Sequence, residues 1–295
     1  MKFWQAITWA ETDQLVGIAQ FAEELGFHGL MSGDHAVYPE CISPIYPYSD
    51  TGLPPMQPDD EYPDQTAIFA AMAAVTRTLR FTCGVYVLPL RNPHEVARAS
   101  ATLAILSDNR FILGVGVGWM KEEFDIDGVD FRKRGRITDE SIEVIRKLWS
   151  GDMVEHHGEH FDFPRVQLSP APGQYPPVYI GGASSAALRR TARLGDGYIG
   201  AGTAPEDVGP LLRQLHDLRV EHGRDHEPFE AMLGISDMPG VDLYRRLQDE
   251  GLESTVAPPF MYSLGKKQST LDEKKRVMEH YAETIVRHFP ATPAP

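Results

Sequence analysis

The stretch VYIGGASSAALRRTARLGDGYIG (residues 178–200) holds the pattern that decides the fold. A short apolar run at 178–180 stops at two glycines, residues 185–193 have helical spacing, and 197–199 are apolar again. Strand, helix, strand in that order is the repeating unit of a parallel sheet. Outward from this unit the same beat recurs. On the N-terminal side, strands are expected at 3–7, 29–32, 80–87 and 111–115, with helices at 13–25, 65–76, 95–106 and 138–149. Gly26 stops the first of these helices. On the C-terminal side follow a helix at 205–222, a strand at 229–235, a helix at 240–250, a strand at 254–257 and a helix at 271–288. Eight strand–helix pairs favour a closed (β/α)8 TIM barrel, read as one domain over residues 1–295. A doubly wound open sheet is the alternative.

Two segments break the beat. Residues 37–63 are proline-rich and aperiodic, and read as a long loop after strand 2. Residues 151–177 hold a possible small hairpin at 159–163 and a proline-rich approach to strand 5. Long loops inside a compact domain are usually lids or walls. A loop that follows a barrel strand lies on the catalytic face.

Composition narrows the function classes. A formal net charge of −14 repels nucleic acid and anionic membrane alike, so neither is an expected partner. An anionic cofactor must then be held by local donors. No apolar window is long enough for a transmembrane helix, and MKFWQAITW lacks the pattern of a secretory signal. Cys41 and Cys83, the only cysteines, build no disulfide framework and point to a reducing cytoplasm.

Candidate chemistry gathers at strand ends. Asp34-His35 follows strand 2, where a histidine can exchange a proton and a carboxylate can orient it; a backbone-bonded strand-end histidine is the structural alternative. Gly84 lies within strand 3 and marks either a bulge beneath a ligand or a packing glycine. Gly114, Gly116 and Gly118 alternate after strand 4, leaving one side clear for a flat ring, with Trp119 as a pocket wall or a core residue. Gly181-Gly-Ala-Ser-Ser185 runs from strand 5 into a helix and offers free N–H groups to a phosphate, or simply a serine cap. Barrels more often place phosphate after strands 7 and 8, which counts against the former. Three weaker signals are set aside. Gly195–Gly200 matches GxGxxG but overlaps a strand instead of leading from one into a helix. His156, His157 and His160 have metal-like spacing but read as a solvated polar hairpin, so no metal is expected. The mixed charge of the helix at 138–149 reads as a solvated face.

Taken in order, SGDH (32–35), the YPYS loop with its proline run (46–63), LRFTCGVYVLPLRNP (79–93), NRFILGVGVGWMKEEF (109–124), HGEHFDF (157–163) and VYIGGASSAALRRTARLGDGY (178–198) resemble the luciferase-like monooxygenase superfamily. Within it they resemble the actinobacterial branch that uses the deazaflavin F420. The resemblance implies that His35 stands beside the deazaflavin ring as the catalytic residue and that Asp34 contacts the cofactor. It places a non-prolyl cis bond at Gly84-Val85 behind the ring, further cofactor contacts at Val87, Val117 and Gly118, and the phosphate turn at Gly182, Ala183, Ser184 and Ala186. Members that oxidise sugar phosphates carry a catalytic carboxylate where this chain has Trp119, and their phosphate-binding Lys/Arg set has no counterpart here. A sugar-phosphate dehydrogenase is therefore not expected.

The implied activity is hydride transfer between F420 C5 and a small organic molecule, by reduction of an activated double bond or oxidation of an alcohol. Trp9, Tyr38, Tyr86 and Trp119 are candidate walls of an apolar or aromatic substrate pocket. The alternatives are an FMN-dependent two-component monooxygenase of the same superfamily and a non-catalytic cofactor-binding barrel subunit. The resemblance also implies a homodimer.

Overall fold

The computed structural model describes residues 1–290 apart from Pro44, Pro47, Tyr48 and Asp50. Part of the loop at 37–63, including half of YPYS, thus lies outside the described residues. In chain order the first half runs β1 (Lys2–Ala6), α1 (Leu15–Glu24), β2 (Gly29–Ser32), α2 (Gln65–Val75), β3 (Arg80–Cys83), β4 (Tyr86–Val87), α3 (Pro93–Leu106), β5 (Phe111–Gly116), α4 (Lys121–Ile126) and α5 (Arg134–Trp149). The hairpin β6 (Val154–His157) and β7 (Asp162–Val166) follows. The second half runs β8 (Val178–Gly181), α6 (Ser185–Leu194), β9 (Gly197–Thr203), α7 (Val208–Glu221), β10 (Glu230–Ile235), α8 (Val241–Asp249), β11 (Ser254–Ala257), α9 (Phe260–Leu264) and α10 (Leu271–Thr284).

The parallel sheet closes on itself. Its order is β3-β2-β1-β11-β10-β9-β8-β5, with β3 paired back to β5, and β4 continuing the line of β3 along β5. This is the expected (β/α)8 barrel, and the open sheet is excluded. Alternation along each strand explains why the strands read as near-continuous apolar runs: both faces are buried. Phe3 points outward to the helices, whereas Trp4 joins Ile112, Tyr179, Ile199, Met232 and Val256 in the inner core. The indole N–H of Trp4 donates to the Ser254 hydroxyl at 2.9 Å, so its one polar group is satisfied.

Several boundaries differ from the sequence reading, each for a local reason. The strand expected at 80–87 is two short strands, β3 and β4, on either side of the Gly84–Val85 peptide, which is cis. Helix α5 starts at Arg134, ahead of the expected 138, because Asp130 caps a 3-10 turn that feeds directly into it. The hairpin is centred earlier than 159–163, since β6 starts at Val154 and Glu159 lies in its turn. Its histidines are also less solvated than expected. His156 is buried, stacks on Phe163 and meets Glu140 at 3.2 Å, whereas His157 is exposed and pairs with Asp162. The last helix ends at Thr284 and a 3-10 turn at Val286–His288 completes it.

At the mouth, distant parts of the chain are fastened together. The fully buried Lys274 ammonium of α10 binds Glu11 from the loop after β1, Gln14 and the backbone and hydroxyl of Ser269. Lys267 reaches Asp60 in the loop after β2 at 2.7 Å. Among the described residues, no helix is long and apolar enough to cross a membrane.

Candidate active site

Strand β2 ends at Ser32, and one glycine later Asp34 and His35 step onto the rim. The two side chains part. Asp34 turns toward β4: its Oδ2 accepts the Val87 N–H at 2.9 Å and its Oδ1 meets the Arg91 guanidinium at 3.2 Å. Burial pushes its carboxyl up, opposed by the Arg91 charge and the Val87 hydrogen bond. Only 7% of this side chain is exposed, so its main contacts are internal and it ties the strand-2 rim to the strand-3 rim.

His35 turns the other way, toward α4. Its Nδ1 lies 3.0 Å from Glu123 Oε2, while Glu123 Oε1 accepts the Ala36 N–H at 2.8 Å. The Glu123 side chain is 2% exposed. An ionised carboxylate only accepts, so Nδ1 must carry the ring proton and Nε2 is left to accept one. Glu123 thus fixes both the position and the tautomer of His35. Sequence reasoning missed this partner: it is 88 residues away, and its neighbour Glu122 bonds instead to Ser43 in the loop after β2. The one available signal was position, four residues beyond Trp119 on a short helix after a strand end.

Aromatic side chains surround the histidine. Tyr62 and Trp119 meet it edge-on, with centroids at 5.1 and 6.0 Å. Trp9 donates its indole N–H to the Tyr62 hydroxyl at 2.6 Å. Trp9 does so from a left-handed backbone conformation (φ 63), a strained position for a bulky residue that its surroundings must enforce. Burial raises the Tyr62 hydroxyl well above its ordinary value. Tyr62 was not singled out in the sequence, since it lies in the aperiodic loop. Tyr38 is half-buried in the same loop. Tyr86 is a correction. Alternation sends Val85 to the inner core and Tyr86 outward, where it packs beneath α2 and α3 with Gln65, Thr66 and Ala99, with Arg91 over its ring. It therefore does not wall the mouth.

The alternating glycines serve a different purpose from the one expected. A Cβ on Gly114 would sit 1.9 Å from the Cys83 carbonyl oxygen, and one on Gly116 would sit 2.3 Å from Val85 Cγ2. A Cβ on Gly181 would likewise meet Val85 Cγ1 at 2.5 Å. The cleared space is thus filled by a neighbouring strand and by the Val85 isopropyl group, and Val85 is the surface that a flat ring would meet. Val117 is half-buried beside Gly118, whose left-handed backbone (φ 77) leaves room for Val87.

Across the mouth, β8 leads into α6 through Gly182 (φ 118) and Ala183. Ser184 caps the helix, accepting the Ala187 N–H at 3.2 Å. Ala183, Ser184 and Ala186 are exposed, and the first N–H groups of a helix have no intrahelical partner. Such a turn accepts a phosphate oxygen without further cations.

Comparison with known proteins places the chain among relatives. An uncharacterized protein of Mycobacterium tuberculosis is 35% identical over 287 residues, covering 97% of this chain and 99% of the relative. An F420-dependent glucose-6-phosphate dehydrogenase of Amycolatopsis mediterranei is 28% identical over 93% of this chain and 86% of its own. Among solved structures, the monooxygenase RslO1 of Streptomyces bottropensis superposes with a TM-score of 0.78 at 19% identity, over 98% of this chain and 100% of that one. The family model for luciferase-like monooxygenases matches residues 4–237, from the first barrel strand to just beyond β10, and the chain belongs to that family.

Proposed function

We propose that the chain is an F420-dependent oxidoreductase, a single barrel domain working as a cytoplasmic homodimer. It moves a hydride between the deazaflavin C5 and a small organic substrate, reducing an activated double bond or oxidising an alcohol. The observation that carries this reading is His35, held by the buried Glu123 at the mouth with its Nε2 unclaimed by that pairing. Likeness to an F420-dependent dehydrogenase over almost the whole chain supports the choice of cofactor.

Two features support the fit of such a cofactor. The turn at Gly182–Ala186 exposes N–H donors suited to a phosphate, and the Val85 side chain offers an apolar surface beside it, seated on Gly116 and Gly181. Gly182, Ala183, Ser184 and Ala186 would hold the phosphate. Gly84, Val85, Val87, Val117 and Gly118 would back the ring, with Asp34 holding that wall in place through Val87 and Arg91. When bound, F420 supplies a two-electron hydride donor or acceptor at C5. The residues of the chain do the rest. His35 takes up or gives the accompanying proton at Nε2, Glu123 keeps that nitrogen free, and the aromatic side chains at the mouth exclude water.

The test is titration of the purified chain with F420 and, separately, FMN, following the fluorescence of each. Tight F420 binding with weak FMN binding supports the reading. Tight FMN binding with weak F420 binding refutes it and moves the chain to reduced-flavin oxygenation. Binding of either without turnover across a broad substrate panel would favour a cofactor-binding subunit.

A further inference from the structure

Six rings stand in an unbroken line around the mouth. Tyr262, on α9 beyond β11, meets Trp9 edge-on at 6.4 Å between centroids, and Trp9 is hydrogen-bonded to Tyr62. Tyr62 lies against His35, His35 against Trp119, and Trp119 against Tyr46 at 5.0 Å. The ring planes cross at 67° for Trp9 and Tyr262, 84° for Tyr62 and His35, 83° for His35 and Trp119, and 69° for Trp119 and Tyr46. Edge therefore meets face at these four contacts, the arrangement that aromatic quadrupoles favour. The members come from the loops after β1, β2, β5 and β11, so no single loop builds the arc.

Three of the carboxylates that flank this arc are already committed. Glu123 is taken by His35 and the Ala36 N–H, Asp34 by Arg91 and the Val87 N–H, and Asp60 by Lys267. An anionic guest would shed water against the rings without gaining a counter-charge, since Arg91 and Lys267 are held by Asp34 and Asp60. An anion would also meet the field of a chain with a net charge of −14.

We propose that this aromatic arc is the substrate wall and that it selects a molecule with a flat conjugated ring and no negative charge, placed with its reacting carbon beside His35. This rests on the oxidoreductase reading above and names the substrate class for that site. The arc would supply stacking area, and the substrate's specificity would follow from ring shape and the absence of negative charge more than from ion pairing.

The experiment uses one ring with and without a negative charge: 2-naphthalenemethanol and 2-naphthoate, each titrated by calorimetry into the full chain, alone and with F420 added. The expected result is that the neutral probe binds at least tenfold more tightly than the carboxylate. Trp119→Ala and Tyr62→Ala should each weaken it about tenfold. Equal or tighter binding of the carboxylate overturns the proposal, as does failure of the neutral probe to bind in both states. The wild-type ranking needs no variant, so a variant that does not fold leaves the proposal testable. F420 fluorescence in the same samples separates the two readings. Loss of F420 binding with the ranking intact sinks only the cofactor, and a failed ranking with F420 bound sinks only the substrate class.

Discussion

Replacing Glu123 by Gln changes one atom of the carboxylate and should reverse the chemistry of His35 while leaving its position almost untouched. The Ala36 N–H can only donate, so the new amide must turn its oxygen toward it, as Oε1 of Glu123 does at 2.8 Å. The amide nitrogen then faces His35 Nδ1, where Glu123 Oε2 stood at 3.0 Å, and donates to it. The ring proton is forced onto Nε2, and the nitrogen facing the mouth changes from acceptor to donor. Both hydrogen bonds survive, so Glu123→Gln should melt within about 2 °C of wild type. Its turnover should fall roughly a hundredfold, the lower end of what a positioned acid–base group contributes. Glu123→Ala differs, because it removes two charge-assisted bonds of about 1.5–3 kcal/mol each from a site that is 2% exposed. At roughly 2 °C per kcal/mol for a chain of this size, that variant should melt about 6–12 °C lower. Nitrogen chemical shifts of His35 read the tautomer directly, without an activity assay. The reasoning fails if Glu123→Gln leaves the tautomer unchanged, or if the tautomer switches and turnover stays within twofold of wild type.

Three further outcomes are expected. Burial lowers His28 from 6.5 to about 4, so the unfolded chain takes up a proton between those values that the folded chain refuses. Stability should therefore fall as pH drops through that window, by at most ~3 kcal/mol from this group, and His28→Gln should flatten that part of a denaturation profile. A methyl group at Gly116 would sit 2.3 Å from Val85 Cγ2, so Gly116→Ala should cost about 1–3 kcal/mol in urea unfolding and weaken cofactor binding by displacing Val85. Ser184→Ala removes the cap on Ala187 and should cost ~1 kcal/mol while leaving phosphate affinity within a few-fold, since the donors are backbone N–H groups; a much larger loss of affinity would show the hydroxyl itself to be a ligand.

The barrel was legible because its strands are buried on both faces and its helices on one, which leaves a repeating mark in the order of apolar residues. His35 was legible from its place just past a strand. Its partner was not, because hydrogen bonding across 88 residues leaves no periodic trace. The outward turn of Tyr86 left no mark for a related reason: 80–87 reads as one strand, whereas the chain breaks at Gly84–Val85 and its alternation starts afresh there. Three alternating glycines signalled a close approach correctly, but they did not say whether a ligand or a neighbouring strand makes it; at Gly114 and Gly116 the chain itself does. Tyr62, Tyr46 and Tyr262 belong to loops or to the C-terminal quarter, where only the closed barrel brings them to one place.

The fastening of Lys274 to Glu11 has a bearing on time as well as on shape. The first strand finds its second neighbour, β11, only after all the other barrel strands have been made, and the loop after it is secured by a helix that emerges later still. Contacts between segments so far apart in sequence are the slowest to form and wait on nearly everything between them. A ribosome-bound chain in which α10 has not yet emerged can therefore carry most of the barrel and still have an unfinished mouth. Competence to bind should appear abruptly, once α10 is free to dock, and a protease that nicks the segment before α10 should abolish it while most of the sheet persists.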